Sequence, residues 1–173
     1  MTQELIDLRA SIIEGRYEDA LNIVDELDWM SKKATLRNIK SYLVRMLIHL
    51  IKNQVEQWLN NSWAASIEGS ILEIQDLNLK DNKTSHYINQ NEWESYLEDA
   101  FEAAISPASL EVANGVYKSY QLEKLIDKAQ IMNIAKQLLD LTYTIERNKL
   151  REAVYKQFNQ LPGGEEWNFE REN

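Results

Sequence analysis

Four side chains with helical spacing are the best candidates in this chain for doing chemistry. Arg45, His49, Lys52 and Glu56 fall on one strip of a helix, with Tyr42 at its edge. Arg45 and His49 are four residues apart, as are Lys52 and Glu56, so each pair lies one helical turn apart on a shared face. A histidine flanked by two cations tends to stay neutral, because its own protonation would add a third positive charge. Such an imidazole could act as a base, with Arg45 and Lys52 holding an anion beside it. The plainer reading of the strip is preferred, however. An amphipathic helix turns one polar side to water or to a packing neighbour, and an exposed Lys52–Glu56 pair contributes only about 0.5 kcal/mol.

Other catalytic or ligand-binding patterns are missing from the sequence. A zinc site draws on at least three convergent ligands, usually His or Cys. The chain has two histidines, His49 and His86, and no cysteine. Neither histidine sits in an H-x-x-x-H or E-x-x-H pattern. There is no Gly-rich phosphate loop, dinucleotide fingerprint or G-x-S-x-G elbow. We therefore expect no catalytic set, no metal and no cofactor.

The strip must be carried by a helix, and the apolar spacing says which. Residues 31–61 run without Gly or Pro behind Ser31, a plausible N-cap. At about 100° per residue, Leu36, Ile39, Leu43, Met46, Leu47 and Leu50 lie on one side, and Val44, Ile48, Ile51, Val55, Trp58 and Leu59 on the adjoining one. So wide an arc predicts a central helix packed on several flanks. Before it, Thr2 to Glu14 and Tyr17 to Trp29 read as a helical hairpin turned at Gly15, the second helix burying Ala20, Leu21, Ile23, Val24 and Leu27. The string GRYEDAL has no second copy at the repeat spacing that a tetratricopeptide array needs.

After the central helix, Ser62 is placed as the cap of a helix reaching about Leu79. A polar loop from Leu79 to Asn91 follows, then a helix from about Glu92 that Pro107 either kinks or restarts. Asn114-Gly115 reads as a stop. Short and longer helices follow over Ser119 to Lys128 and from an Asp127 cap to Thr144, with helix continuing from Ile145 to Leu161 without a true break. No strand-like alternation appears. The expected fold is all-α: a single-domain bundle of about six to eight helices around the long central helix (residues 31–61). The bundle should fill residues 1–161, and an acidic, flexible tail residues 162–173. Trp29, Trp58, Trp63 and Trp93 are expected to pack at helix ends.

A chain of 173 residues can bury a core without staples, and the absence of cysteine fits a reducing cytoplasm. The first residues lack the basic and apolar regions of a signal peptide. The most apolar segment, Tyr42 to Ile51, falls far short of the roughly 20 residues that span a bilayer. No membrane partner is expected. The net charge of −9 argues against general nucleic-acid binding. Charge is unevenly spread: residues 1–30 hold 8 acids and 2 bases, and residues 31–53 hold 6 bases and no acid. We expect Asp25, Glu26 or Asp28 to meet Lys32, Lys33 or Arg37 across a helix junction, the alternative being a basic stripe open to a ligand.

The strings LRASIIEGRYEDALNIVDELDWM, LVRMLIHLIK and SWAASIEGSILEI, in that order, resemble the bacterial domain of unknown function 29 family. Its members carry a leucine-rich helix ending in a His-Leu-Leu-Lys-like run, here His49 to Lys52. A Trp-x-x-Ser/Thr-Ile follows, here Trp63, Ser66 and Ile67. The resemblance covers Leu8 to Asp127 and departs at Tyr117 to Leu122, where members often have a Pro-Trp-type segment. It implies a helical bundle with no established activity and supplies no catalytic residues. The function expected is a non-catalytic module that binds a protein partner or forms a homo-oligomer. The alternative is a small enzyme or anion-binding protein using Arg45, His49 and Lys52, with Tyr42 or Glu56.

Overall fold

The structure, a computed structural model, describes residues 2–167 of the chain. Among these residues there are seven α-helices and no strand: α1 (Thr2–Ile13), α2 (Tyr17–Glu56), α3 (Asn61–Asn78), α4 (Trp93–Glu111), α5 (Ser119–Leu125), α6 (Lys128–Thr144) and α7 (Arg147–Gln157). The all-α class read from the sequence is the class observed. Packing divides the chain into two compact units, the first ending at Asn38 and the second beginning at Ile39, both inside α2.

The long helix has other bounds than the sequence suggested. It starts at Tyr17 instead of Ser31 and stops at Glu56 instead of near residue 61. No Gly or Pro interrupts Tyr17 to Glu56, and an interior serine costs only about 0.5 kcal/mol against alanine, so Ser31 continues the helix instead of capping a new one. The acidic and basic blocks therefore follow one another along a single helix. There is no junction across which Asp25, Glu26 or Asp28 could meet Lys32, Lys33 or Arg37.

In the first unit α1 ends as expected at Gly15, whose φ of 72° is the left-handed conformation that glycine adopts freely. Arg16 N–H donates to Ser11 O at 2.8 Å and Gly15 N–H to Ile12 O at 3.2 Å, the paired bonds of a Schellman end. The Arg16 guanidinium then bridges Glu14 and Asp19, both at 2.8 Å. Burial here departs from the sequence reading. Within residues 2–38 only Ser11 and Ala20 are buried; Ile23 and Leu27 are half-buried, and Leu21 and Val24 are exposed.

The second unit holds the core. Ile39, Leu43, Met46, Leu47, Leu50 and Ile51 are all closed to solvent, as spacing predicted, while Val55 is half-buried. Ile67, Ile71 and Ile74 of α3, Leu97, Ala100 and Ala104 of α4, Leu138 and Leu139 of α6, and Leu150 and Val154 of α7 complete it. Trp63 and Trp93 are buried, whereas Trp29 and Trp58 are exposed.

Several boundaries in this unit have readable local causes. α2 stops where Gln57 turns left-handed, at φ 58°. Asn53 is sealed beneath that turn and donates to the carbonyls of Trp58 (2.9 Å) and Pro162 (2.8 Å). Asn60, two residues before the expected Ser62, caps α3 by accepting from Trp63 N–H at 2.8 Å. Pro107 lies inside α4 and does not restart it. A true break separates α6 from α7: Ile145 is extended, and Gln75 donates to the freed carbonyls of Thr142 and Ile145. Pro162 to Gly164 are packed, while Glu165 and Glu166 are exposed: a Cβ on Gly163 would meet Trp58 Cα at 2.7 Å, and one on Gly164 would collide with the Phe158 carbonyl oxygen. Trp167 meets the Tyr155 ring tilted and the Phe158 ring edge-on, at centroid distances of 5.0 and 5.6 Å. Of the tail expected to be flexible, residues 168–173 lie outside the described residues.

Candidate functional site

The strip is carried by the second half of α2, and its side chains are engaged by α3 and the end of α4. Lys52 is only 7% exposed, although it occupies the polar wedge. Its ammonium reaches Glu111 Oε2 at 2.6 Å and stands 4.6 Å from the centroid of the Trp63 ring. An ammonium withdrawn from water needs such partners, a carboxylate for charge and an aromatic face for the side that has no hydrogen-bond acceptor. Arg45 Nη2 donates to Ser66 Oγ at 3.3 Å, and Ser66 is itself buried on α3. Tyr42 is half-buried.

Glu56 has a backbone partner and does not pair with Lys52. Its Oε1 accepts from Ala113 N–H at 2.8 Å, and its Oε2 accepts from Trp58 Nε1 at 3.3 Å. Ala113 and Asn114 are left-handed, at φ 47° and 58°, and Gly115 follows at 75°. A left-handed alanine costs about 1–2 kcal/mol, so the charge-assisted bond from Glu56 helps to hold the chain reversal that ends α4. Glu111, two residues before Ala113 and the last residue of α4, meets Lys52. Of the strip's side chains Lys52 is drawn inward, Tyr42, His49 and Glu56 are half-buried, and Arg45 stays exposed.

His49 is the exception, since its Nδ1 is buried without a hydrogen-bond partner. Burial pushes its pKa down to about 4, Lys52 and then Arg45 adding to the depression while Glu111 opposes it. The imidazole is therefore neutral at pH 7, with burial the larger cause and the flanking cations the smaller. The unfolded chain protonates this histidine near 6.5, whereas the folded chain does so only near 4. The stability that results is complete above pH 6.5 and is lost as pH falls toward 4, because only the unfolded state takes the extra proton in that window. Solvent reaches part of the ring, so the expected loss is about 1–2 kcal/mol and not the full linkage value. Urea melts of the parent and His49→Gln between pH 7 and 4 measure it. The stability difference should move by that amount in the variant's favour, and a flat difference would mean the ring is not held neutral.

Sequence spacing missed Glu111, Ser66 and Ala113, which meet the strip from distant segments. It also missed a hydroxyl network around Tyr143, whose OH donates to Ile88 O at 2.6 Å and accepts from Trp93 Nε1 at 2.7 Å and Asn78 Nδ2 at 3.1 Å. Burial pushes this phenol up to about 12, so it stays protonated and able to donate to the Ile88 carbonyl. His86 sits against the Tyr143 ring at 4.8 Å, in a loop tied down by a bridge between Leu79 and His86. A hollow of about 500 Å³ lies between α4 and α6, where Lys128 pairs with Glu98 at 2.6 Å; the strip does not line it. Among the described residues no three His, Cys, Asp or Glu converge as a metal site. Nor is any described helix long and apolar enough to cross a membrane.

A family model described as "Domain of unknown function DUF29" matches residues 16–133, from the start of α2 into α6. No curated protein and no solved structure matches the chain.

Proposed function

The chain belongs to the DUF29 family of domains of unknown function, and from that premise we propose that it is a non-catalytic protein-interaction module whose contact surface is the N-terminal hairpin. The observation that carries this reading is the amount of apolar side chain the hairpin leaves in water. Leu21 is 64%, Trp29 61% and Ile13 73% exposed, and Leu5, Ile6 and Ile12 are each more than half exposed. Single exposed apolar residues are ordinary, but a concentration of them on two consecutive helices marks a surface that a partner covers. The polar strip is internally engaged through Lys52–Glu111, Glu56–Ala113 and Arg45–Ser66, which supports a structural role for it. We place the module in a bacterial cytoplasm, free of membrane and nucleic acid, in keeping with its charge of −9 and lack of cysteine.

Leu21→Glu/Trp29→Glu changes two exposed positions and, in melts dilute enough to keep the chain monomeric, should leave the urea midpoint within experimental error. As tagged bait in the native host, the parent should retain protein, untagged copies of itself included, that the variant does not. If neither bait retains anything in common excess over controls, the module reading is wrong. A second reading rests on the unpartnered His49 nitrogen: a small enzyme or anion-binding protein acting through Tyr42, Arg45, His49, Lys52 and Glu56. A saturable phosphate-induced shift of the His49 resonance, absent at His86 and abolished by Arg45→Ala, would transfer the assignment to it.

A further inference from the structure

We propose that the occupant of the hairpin surface is a second copy of this chain, paired antiparallel along the first half of α2; the proposal rests on the module reading above and names its partner. At about 100° per residue, Leu21, Asp25, Lys32 and Leu36 fall within about 60° of one another around the helix, with Asp28 and Trp29 on the two flanks of that arc. Leu21, Asp25, Asp28, Trp29 and Lys32 are exposed and Leu36 is half-buried. All six belong to the first compact unit. The arc is thus a mixed stripe of two leucines, a tryptophan and opposite charges, the composition of a pairing face more than of a solvated one.

The order of the charges selects both the partner and its direction. Along α2 the acids Glu18, Asp19, Asp25, Glu26 and Asp28 all precede Lys32, Lys33 and Arg37. A parallel copy would lay acid on acid and base on base. An antiparallel copy related by a twofold axis passing between Asp28 and Trp29 sets Asp25 of each chain level with Lys32 of the other, and Leu21 level with Leu36. Each contact occurs twice, as an isologous interface requires. Near the axis the two Trp29 rings come together, supplying the large apolar surface that anchors such contacts. An unrelated partner would need its own matching sequence of acids, bases and leucines; the chain already carries its own complement.

The test is sedimentation or light scattering on the purified full chain over a concentration series, at low and high salt. The parent should form a dimer that salt weakens. Asp25→Lys and Lys32→Glu each turn two facing pairs into like charges, and each should weaken the dimer by roughly tenfold. An equimolar mixture of the two variants should recover parental affinity, because every facing pair between unlike chains is then opposite in sign. Recovery on mixing separates pairing from damage to the fold, which mixing would not repair. A parent that stays monomeric overturns the proposal, as does a dimer indifferent to both reversals. If the parent is monomeric yet the bait still retains another protein through Leu21 and Trp29, only this inference falls. If the bait retains nothing either, the module reading falls with it.

Discussion

Leu47→Ala should lower the unfolding free energy by about 3–5 kcal/mol. Leu47 is closed to solvent in the middle of the core segment of α2, with Leu43, Met46, Leu50 and Ile51 around it equally closed. Truncation removes the transfer energy of the lost carbons and leaves a void that this packing cannot readily fill, because the second half of α2 is tied to α3 through Arg45–Ser66, to α4 through Lys40–Asp99 and to α6 through Gln54–Gln130. Leu21→Ala, on the same helix but 64% exposed, is the control and, at a protein concentration low enough to keep the chain monomeric, should shift stability by no more than about 0.5 kcal/mol. Urea melts of the two variants read the contrast directly. Equal, small effects at both positions would remove the second half of α2 from the centre of the bundle.

That contrast between two leucines on one helix also marks how far sequence reading reaches. Helical spacing around Leu43, Leu47 and Leu50 correctly gave a helix apolar over a wide arc, and hence a buried one. The same rule put Leu21 and Val24 inward, where they are exposed. Periodicity reports that a face is apolar and is silent on what covers it. The missed continuity through Ser31 has a similar origin. Serine is a good cap where the chain already turns, but nothing in the sequence from Trp29 to Lys33 forces a turn, so helix propagates.

For the strip, the four residue types and their common face were legible because they are local. Their partners were not. Glu111 lies 59 positions from Lys52, and Ala113 lies 57 from Glu56, separations that carry no periodic signal. The left-handed turn at Ala113 could be anticipated only as a stop at Asn114-Gly115, without showing that Glu56 would tie it down.

Glu111→Ala tests whether the strip is a junction or a site, and is expected to cost about 2–4 kcal/mol. The carboxylate is half open to water, but the Lys52 ammonium it holds is not, and after truncation that charge keeps only the Trp63 ring for company. The figure is set below that of a fully buried pair for this reason. Lys52→Met is the companion change. Methionine matches the length of the aliphatic stem and suits the face of an aromatic ring, while the stranded Glu111 carboxylate can turn to solvent. Its cost should be below about 1.5 kcal/mol. The asymmetry between the two substitutions is the informative quantity: it is expected if Glu111 serves to neutralise a lysine that packing has drawn inward. Two equal, near-zero costs would mean that Lys52 reaches water once released. The strip would then hold a cation available to an external anion beside the neutral His49, and the choice between junction and site would reverse.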